Sequence, residues 1–155
     1  MVASGGVDDP LITTFGRLVE VHASLGQSLG RALEQQCGIG HSWFEVLLRI
    51  GRADGGRVSM GVLAQQVALT TGGITRMIDR MIAAGLVDRQ PSGSDRRVQF
   101  AALTKLGKAK LDAAAAVHAE NLSIAFTGFN QRDVAVLDEL LDRLRNARHT
   151  FGQPR

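Results

Sequence analysis

The sequence predicts a mainly α fold with one small β-hairpin, and two observations predict it. Apolar residues recur every three or four positions in six separate segments, which is the period of an amphipathic helix. Between residues 86 and 101 the period changes to that of two short strands, joined by a connector rich in Pro, Gly and Ser. The length of 155 residues, with 45% hydrophobic and 21% charged residues, is typical of a folded globular chain.

The first helix is predicted to begin at Asp8, Asp9 and Pro10, where a carboxylate can cap the first amides and proline is tolerated in the first turn. It is expected to reach about Gln36 and to end before Gly38. Its apolar face is a narrow stripe of Leu11, Phe15, Leu18, His22, Leu25, Leu29 and Ala32. A long helix with so narrow a seam is better suited to pairing with another helix than to burial in a core.

Two shorter helices follow. Ser42 and Glu45 have the spacing of a capping box, so the second helix is predicted to start there and to run to about Ala53. A turn at 54–56 and a short strand at 57–58 precede Ser59, which is predicted to cap the third helix. The residues of this third helix expected to face inward are Val62, Leu63 and Val67.

The fourth helix is predicted to begin at Thr70 or Thr71 and to stop at Gly85. Its inward residues are expected to be Ile74, Met77, Ile78, Met81 and Ile82. Strands at 86–89 and 98–101 then form a hairpin with an exposed basic tip. Thr104 is predicted to cap a fifth helix that reaches about Phe126. Asn130 is predicted to cap a sixth helix with the apolar stripe Val134, Leu137, Leu141 and Leu144.

The positive charge of the chain is concentrated in one stretch. Residues 70–110 hold eight basic and three acidic residues, whereas residues 1–69 and 111–155 each hold five basic and six acidic ones. The net charge of +3 therefore arises entirely from the middle stretch. Such a distribution is expected if one segment faces a phosphate backbone, although a solvated basic face without a partner is the alternative.

The third helix, a tight turn, the fourth helix and the basic hairpin have the order of a winged helix-turn-helix, in which one helix enters the major groove of DNA. On this interpretation Arg80 contacts phosphate, while Arg96 and Arg97 at the wing tip enter a minor groove. The residues predicted to bind DNA at the start of the recognition helix are Thr70, Thr71, Gly72, Thr75 and Arg76. All of them except Thr70 are expected to face the bases.

Several motifs resemble the MarR family of bacterial regulators: Leu63-Ala64, Leu69-Thr70, Ile74 to Met81, Gly85-Leu86-Val87, Asp95-Arg96-Arg97, and Leu103-Thr104 with Gly107. The resemblance implies a homodimer in which the first, fifth and sixth helices of both chains interlock and present two winged lobes to a pseudo-palindromic operator. It also implies that Asp95 braces the wing against the recognition helix, with Arg76 as a candidate partner. The family often has Ser or Arg where this chain has Thr71 and Gly72, so no sequence preference is carried over.

The expected architecture is therefore a winged helix-turn-helix lobe over residues 39–103 and a helical dimerisation domain formed by residues 1–38 and 104–155. The resemblance further implies a repressor that is released from DNA by a small aromatic or anionic ligand in a cleft between the two parts. The residues expected to border this cleft are His22, His41, Trp43 and His118. The alternative interpretation places Trp43 in the core and both His22 and His118 in the dimer seam.

Cys37 is the only cysteine, so no internal disulfide is possible, and the cytoplasm is the expected compartment. A redox- or metal-responsive regulator using Cys37 and His41 is an alternative hypothesis. No motif of an enzyme, of a cofactor site or of a membrane span is found in the sequence. A helical interaction protein that does not bind DNA is a more remote alternative, because it leaves the basic hairpin unexplained.

Overall fold

The computed structural model describes residues 6–67, 69–92 and 98–147. Within these ranges the chain forms six helices, three strands and a single 3-10 turn at Asp54–Gly56. The helices are α1 (Pro10–Cys37), α2 (His41–Gly51), α3 (Met60–Gln66), α4 (Thr71–Ala83), α5 (Lys105–Ala125) and α6 (Gln131–Ala147). The strands are β1 (Arg57–Ser59), β2 (Val87–Pro91) and β3 (Gln99–Leu103).

The three strands form one antiparallel sheet in the order β1-β3-β2. The hairpin is in register from Val87 opposite Leu103 to Pro91 opposite Gln99, and Val58 of β1 lies opposite Ala101. The short strand predicted at 57–58 thus extends the hairpin to a third strand. The predicted mainly α class with a small wing sheet is confirmed.

The core lies between the C-terminal part of α1, helices α2 to α4 and the inner face of the sheet. Each aliphatic or aromatic side chain that is fully buried contributes about 1.5–3 kcal/mol relative to its exposed state. The largest of these side chains are Phe44, Leu33, Leu47, Ile50, Leu63, Ile74, Ile78, Met81, Val46 and Val87. Four of them belong to α2, which is therefore the central element of the core.

Short-range capping explains where several helices begin. Asp9 Oδ1 accepts a hydrogen bond from Leu11 N at 2.8 Å, and Ser59 Oγ accepts one from Val62 N at 3.4 Å, as predicted. Thr104 Oγ1 accepts one from Gly107 N at 2.9 Å at the start of α5, which confirms the cap predicted there. Each such bond satisfies an amide that has no partner within its helix.

Two local predictions are wrong. The capping box at Ser42 and Glu45 does not form, because α1 ends at Gly38 in a left-handed conformation (φ 66°) and α2 begins directly after Gly40. Ser42 therefore lies inside the first turn of α2 rather than ahead of it. Val62 is 45% exposed, because the seven-residue α3 turns only one stripe, with Leu63 and Ala64, toward the core.

The two ends of α1 differ in burial. Leu29, Leu33 and Cys37 near its C-terminus are buried, whereas Leu11 and Phe15 near its N-terminus are 72% and 66% exposed. The N-terminal part of the predicted apolar seam is thus uncovered in the single chain.

The chain divides into two compact units between Leu122 and Ser123. The second unit contains the end of α5 and all of α6. Asn130 caps α6 as predicted, since its Oδ1 accepts hydrogen bonds from the amides of Arg132 and Asp133 at 2.8 and 3.0 Å. No described residue of α6 is buried, and its apolar side chains Val134, Val136, Leu140, Leu141 and Leu144 are exposed.

Candidate nucleic-acid interface

Helix α4 is fixed at both ends by local hydrogen bonds. Thr70 is its N-cap, and the Thr70 Oγ1 accepts a hydrogen bond from Gly73 N at 3.1 Å. At the C-terminal end Gly85 adopts a φ of 72°, and Leu86 N donates to Met81 O at 3.0 Å. A residue with a side chain is strained in this left-handed conformation, so glycine defines where the helix stops.

One face of α4 is buried and the opposite face is open. Ile74, Met77, Ile78 and Met81 belong to the core, as predicted. The outward face consists of exposed Thr71, Gly72, Arg76, Asp79 and Arg80, with Thr75 half-buried beside them. The structure therefore brings the predicted recognition residues of α4 together on one accessible helix face.

Two details of this face bear on how it can meet a partner. The Thr75 hydroxyl donates to the Thr71 carbonyl at 2.8 Å, so its proton is committed while the oxygen can still accept a hydrogen bond. No heavy atom lies within 4 Å of the position that a Cβ at Gly72 would occupy. A groove wall or phosphate can thus approach the backbone closely at Gly72.

Helix α3 directly precedes α4 in the chain and packs against it, as a helix-turn-helix requires. Leu63 and Ala64 of α3 are buried, and Leu69 N donates to Ala64 O at 3.0 Å across the turn. This bond closes the end of α3 immediately before the Thr70 cap. The turn between the two helices is therefore short and held by backbone contacts.

An ion pair that sequence reasoning missed connects α4 to the wing. Arg89 in β2 donates to Asp79 Oδ1 in α4 at 2.8 Å, and the two side chains are 34% and 55% exposed. The predicted brace was Asp95, with Arg76 as its candidate partner. Asp95, Arg96 and Arg97 lie outside the described residues. The sequence signal that could have found this pair is the opposite charge of Asp79 before the Gly85 turn and Arg89 after it.

A histidine cluster lies where α2 meets α5. The rings of His41 and His118 are 6.0 Å apart between centroids, and His118 also packs on Phe44 at 4.7 Å. The Nδ1 atoms of both histidines are buried and accept or donate no hydrogen bond within the described chain. Burial lowers the pKa of His118, the nearby His41 lowers it further, and Glu45 opposes the shift.

The four predicted ligand-cleft residues are placed differently from one another. His22 and His41 line a cavity of about 480 Å³ together with Ser42, Glu45, Gln66, Val67, Leu69 and Met77. His118 is not part of this lining but contacts the ring of Phe44. Trp43 is half-buried against the core, which agrees with the alternative interpretation for that residue.

Cys37 is buried, and its carbonyl oxygen accepts a hydrogen bond from Lys110 Nζ at 2.9 Å. Among residues 6–67, 69–92 and 98–147, no three His, Cys, Asp or Glu side chains are grouped so that they can hold a metal ion. Across the same residues, every helix is too short or too polar to cross a membrane.

Comparisons with known proteins agree with this geometry. A family model described as the MarR family matches residues 38–98, which contain α2 to α4 and β2. AbsC, a MarR family transcriptional regulator from Streptomyces coelicolor, is 29% identical, with a TM-score of 0.77 over 91% of this chain and 94% of that chain. No curated protein matches the chain.

Two structures of E. coli MarR are also similar. The apo form of the wild type is 26% identical, with a TM-score of 0.70 over 83% of this chain and 95% of that chain. A mutant complexed with operator DNA is 25% identical, with a TM-score of 0.69 over 86% and 94% of the two chains. Members of the family are transcription regulators and not enzymes. The matched lobe and the shared winged-helix fold therefore show that this chain is similar to the MarR family in sequence over residues 38–98 and in fold over most of its length.

Proposed function

We propose that the chain is a cytoplasmic transcriptional repressor that binds a pseudo-palindromic operator in double-stranded DNA as a homodimer. The observation that carries this proposal is the open face of α4, where Thr71, Gly72, Arg76 and Arg80 lie opposite a fully packed core face. A helix with this division fits the major groove. The complex of the E. coli relative with operator DNA supports the same use of the fold.

Each residue of the proposed interface has a distinct part. Arg76 is the side chain able to make a bidentate contact with guanine, and Arg80, one turn later, contacts phosphate. Thr71 and Thr75 offer hydroxyl groups to base edges, and Gly72 allows close approach of the backbone. Thr70 acts mainly through its cap on α4. Arg96 and Arg97 are proposed to enter a minor groove, and Asp95 to brace the wing.

Residues 1–38 and 104–155 are proposed to form the dimerisation region, and residues 39–103 the DNA-binding lobe. The exposed apolar residues of α1 and α6 support this division, because large apolar side chains that stay uncovered in one chain mark an association surface. Leu11 and Phe15 represent the first of these faces, and Leu140 and Leu144 the second.

Release of the DNA by a small aromatic or anionic molecule is proposed to use the cavity lined by His22 and His41. Its size suits a small organic molecule, and two imidazoles supply polar contacts. The alternative that Cys37 and His41 sense an oxidant or a metal has weaker support. Cys37 is buried, and the described ranges hold no three-ligand cluster.

The test is binding of the full chain to labelled duplexes from the region upstream of its own gene, by fluorescence anisotropy at several salt concentrations. We expect R96A and R97A each to weaken binding to all sequences and to reduce the slope of log affinity against log salt by about 0.9. R17A, which removes an exposed arginine of α1, is the matched control and should leave that slope unchanged. A folded dimer that binds none of the duplexes would instead identify a helical interaction protein.

A further inference from the structure

We infer that Thr104 and Gly107 are positioning residues that lock the start of α5 to the end of α4. The direction of the recognition helix α4 then follows that of α5. The connection between the end of α4 and the start of α5, called the joint below, sets the spacing between the two half-sites of an operator. The inference rests on the proposed function, because spacing has a meaning only for a dimer on DNA.

Thr104 connects three backbone groups from two elements. Its hydroxyl donates to the Gly85 carbonyl at 2.6 Å and accepts from Gly107 N at 2.9 Å. Its own amide donates to the Leu86 carbonyl at 3.1 Å. One side chain thus uses both its donor and an acceptor position to hold the turn after α4 against the first turn of α5.

The carbonyls that Thr104 holds belong to the C-terminal cap of α4. Gly85 N donates to Ile82 O at 2.8 Å, and Leu86 N donates to Met81 O at 3.0 Å. The peptide groups of Gly85 and Leu86 are therefore fixed to the last turn of α4 on one side and to Thr104 on the other. The end of α4 and the start of α5 form one continuous hydrogen-bonded unit.

Gly107 brings the two backbones into direct contact. A Cβ at this position would overlap the Leu86 carbonyl oxygen and lie 2.8 Å from the Leu86 carbonyl carbon. Both Gly107 and Leu86 are buried. Since backbone atoms cannot change rotamer, this contact cannot slip in the way that two packed side chains can.

The consequence is that α4 and α5 are expected to tilt together. Helix α5 is continuous from Lys105 to Ala125 and belongs to the proposed dimerisation region. A change in the direction of α5 at the joint would be passed to α4 without loss. Thr104 and Gly107 contact no DNA in this scheme and act through the orientation of α4.

The test compares T104V, which keeps the shape of the side chain but loses the hydroxyl, with T104S, which keeps the hydroxyl. G107A is avoided because its Cβ clash with backbone compromises folding. Affinity is measured for the preferred operator, for duplexes whose half-sites are one base pair closer or farther apart, and for a single half-site. We expect the preference of T104V for the native spacing to fall at least roughly fivefold, because the hydroxyl's hydrogen bonds to the Gly85 carbonyl and from Gly107 N are both lost. We expect T104S to match the parent.

A purely structural role for Thr104 would lower Tm and weaken all duplexes by one common factor. An unchanged spacing preference in T104V would therefore overturn the inference. Failure of the parent protein on every duplex, single half-site included, would instead overturn the proposed function.

A measurement without DNA tests the rigid connection between α4 and α5 separately from the proposed function. Spin labels on exposed R80C and A116C, in a C37A background and diluted with unlabelled chains, report the distance between α4 and α5. We expect T104V to broaden this distance distribution and T104S to leave it unchanged. Equal widths in all three proteins would refute the rigid joint whatever the chain binds.

Discussion

The ion pair between Asp79 and Arg89 allows a test in which two explanations predict opposite signs. If the pair fixes the wing to the recognition helix, D79N should weaken binding to the preferred operator. If Asp79 only adds negative charge near the phosphates, D79N should strengthen binding to every sequence. The same substitution therefore distinguishes a positioning contact from a simple electrostatic effect.

The magnitude follows from the geometry of the pair. The 2.8 Å separation is short, but the side chains are 55% and 34% exposed, so solvent screening reduces the attraction. Pairs of this kind contribute about 0.2–1 kcal/mol to the free energy of unfolding. For a chain of this size, 1 kcal/mol corresponds to roughly 2–4 °C in Tm, so D79N should lower Tm by no more than that. The same energy lost in orienting the wing reduces operator affinity by at most about fivefold.

The assay is a double-mutant cycle of D79N, R89Q and the double variant, measured by thermal unfolding and by operator binding. Positioning predicts that each single variant binds the operator more weakly and that the double variant loses less than the sum of the two. Tighter binding of D79N to operator and random DNA alike, with no coupling to R89Q, would refute the brace.

Four further predictions concern the interface, the histidine cluster and the dimer. G72A should raise the free energy of unfolding of the free protein by up to about 1 kcal/mol, because it replaces a helical glycine that has open space around it. The same substitution should weaken operator binding, and equal or tighter binding would exclude a close approach of DNA at Gly72. R76A should cost roughly 1–3 kcal/mol on the preferred operator and relax its specificity, and an equal loss on random DNA would assign Arg76 to phosphate. His118 has a lowered pKa in the folded protein, so the unfolded chain binds more protons. The free energy of unfolding, measured by urea denaturation, should therefore be highest above about pH 6.5 and should fall as the pH drops below that value. E45Q removes the carboxylate that opposes this pKa shift and should make the free energy of unfolding fall more steeply with decreasing pH. A free energy of unfolding that does not change with pH in either protein would contradict the lowered pKa of His118. L141E on α6 should shift the protein toward monomer in light scattering at micromolar concentration, and an unchanged mass would remove α6 from the proposed dimer surface.

The features that could be predicted from the sequence are those that depend on neighbours a few residues away. Asp9, Ser59 and Asn130 each bond to an amide two or three positions later, so spacing alone was sufficient. The same reasoning gave a wrong start for α2. There the three-residue connection Gly38 to Gly40 determines where the helix begins, and the capping ability of Ser42 has no influence.

The contacts that were missed join elements distant in sequence. Asp79 and Arg89 are ten positions apart, and the Thr104 hydroxyl reaches a carbonyl nineteen positions earlier. Each contact depends on how the Gly85 turn directs the chain, which periodicity does not specify. The polar face of α4 could be predicted because burial of its apolar stripe fixes which residues face outward.

The partners of the basic residues also affect how the protein would search a genome. Of the eight cations in residues 70–110, Arg89 pairs with Asp79, Lys108 pairs with Asp112, and Lys110 donates to a backbone carbonyl of α1. Cations that already have a partner within the chain contribute less to the general attraction for DNA than unpaired cations do. Binding to unrelated genomic DNA should therefore be weaker than the charge count indicates. A smaller fraction of such a regulator would then be bound to the great excess of non-operator sites. A small number of copies would therefore suffice to find one operator.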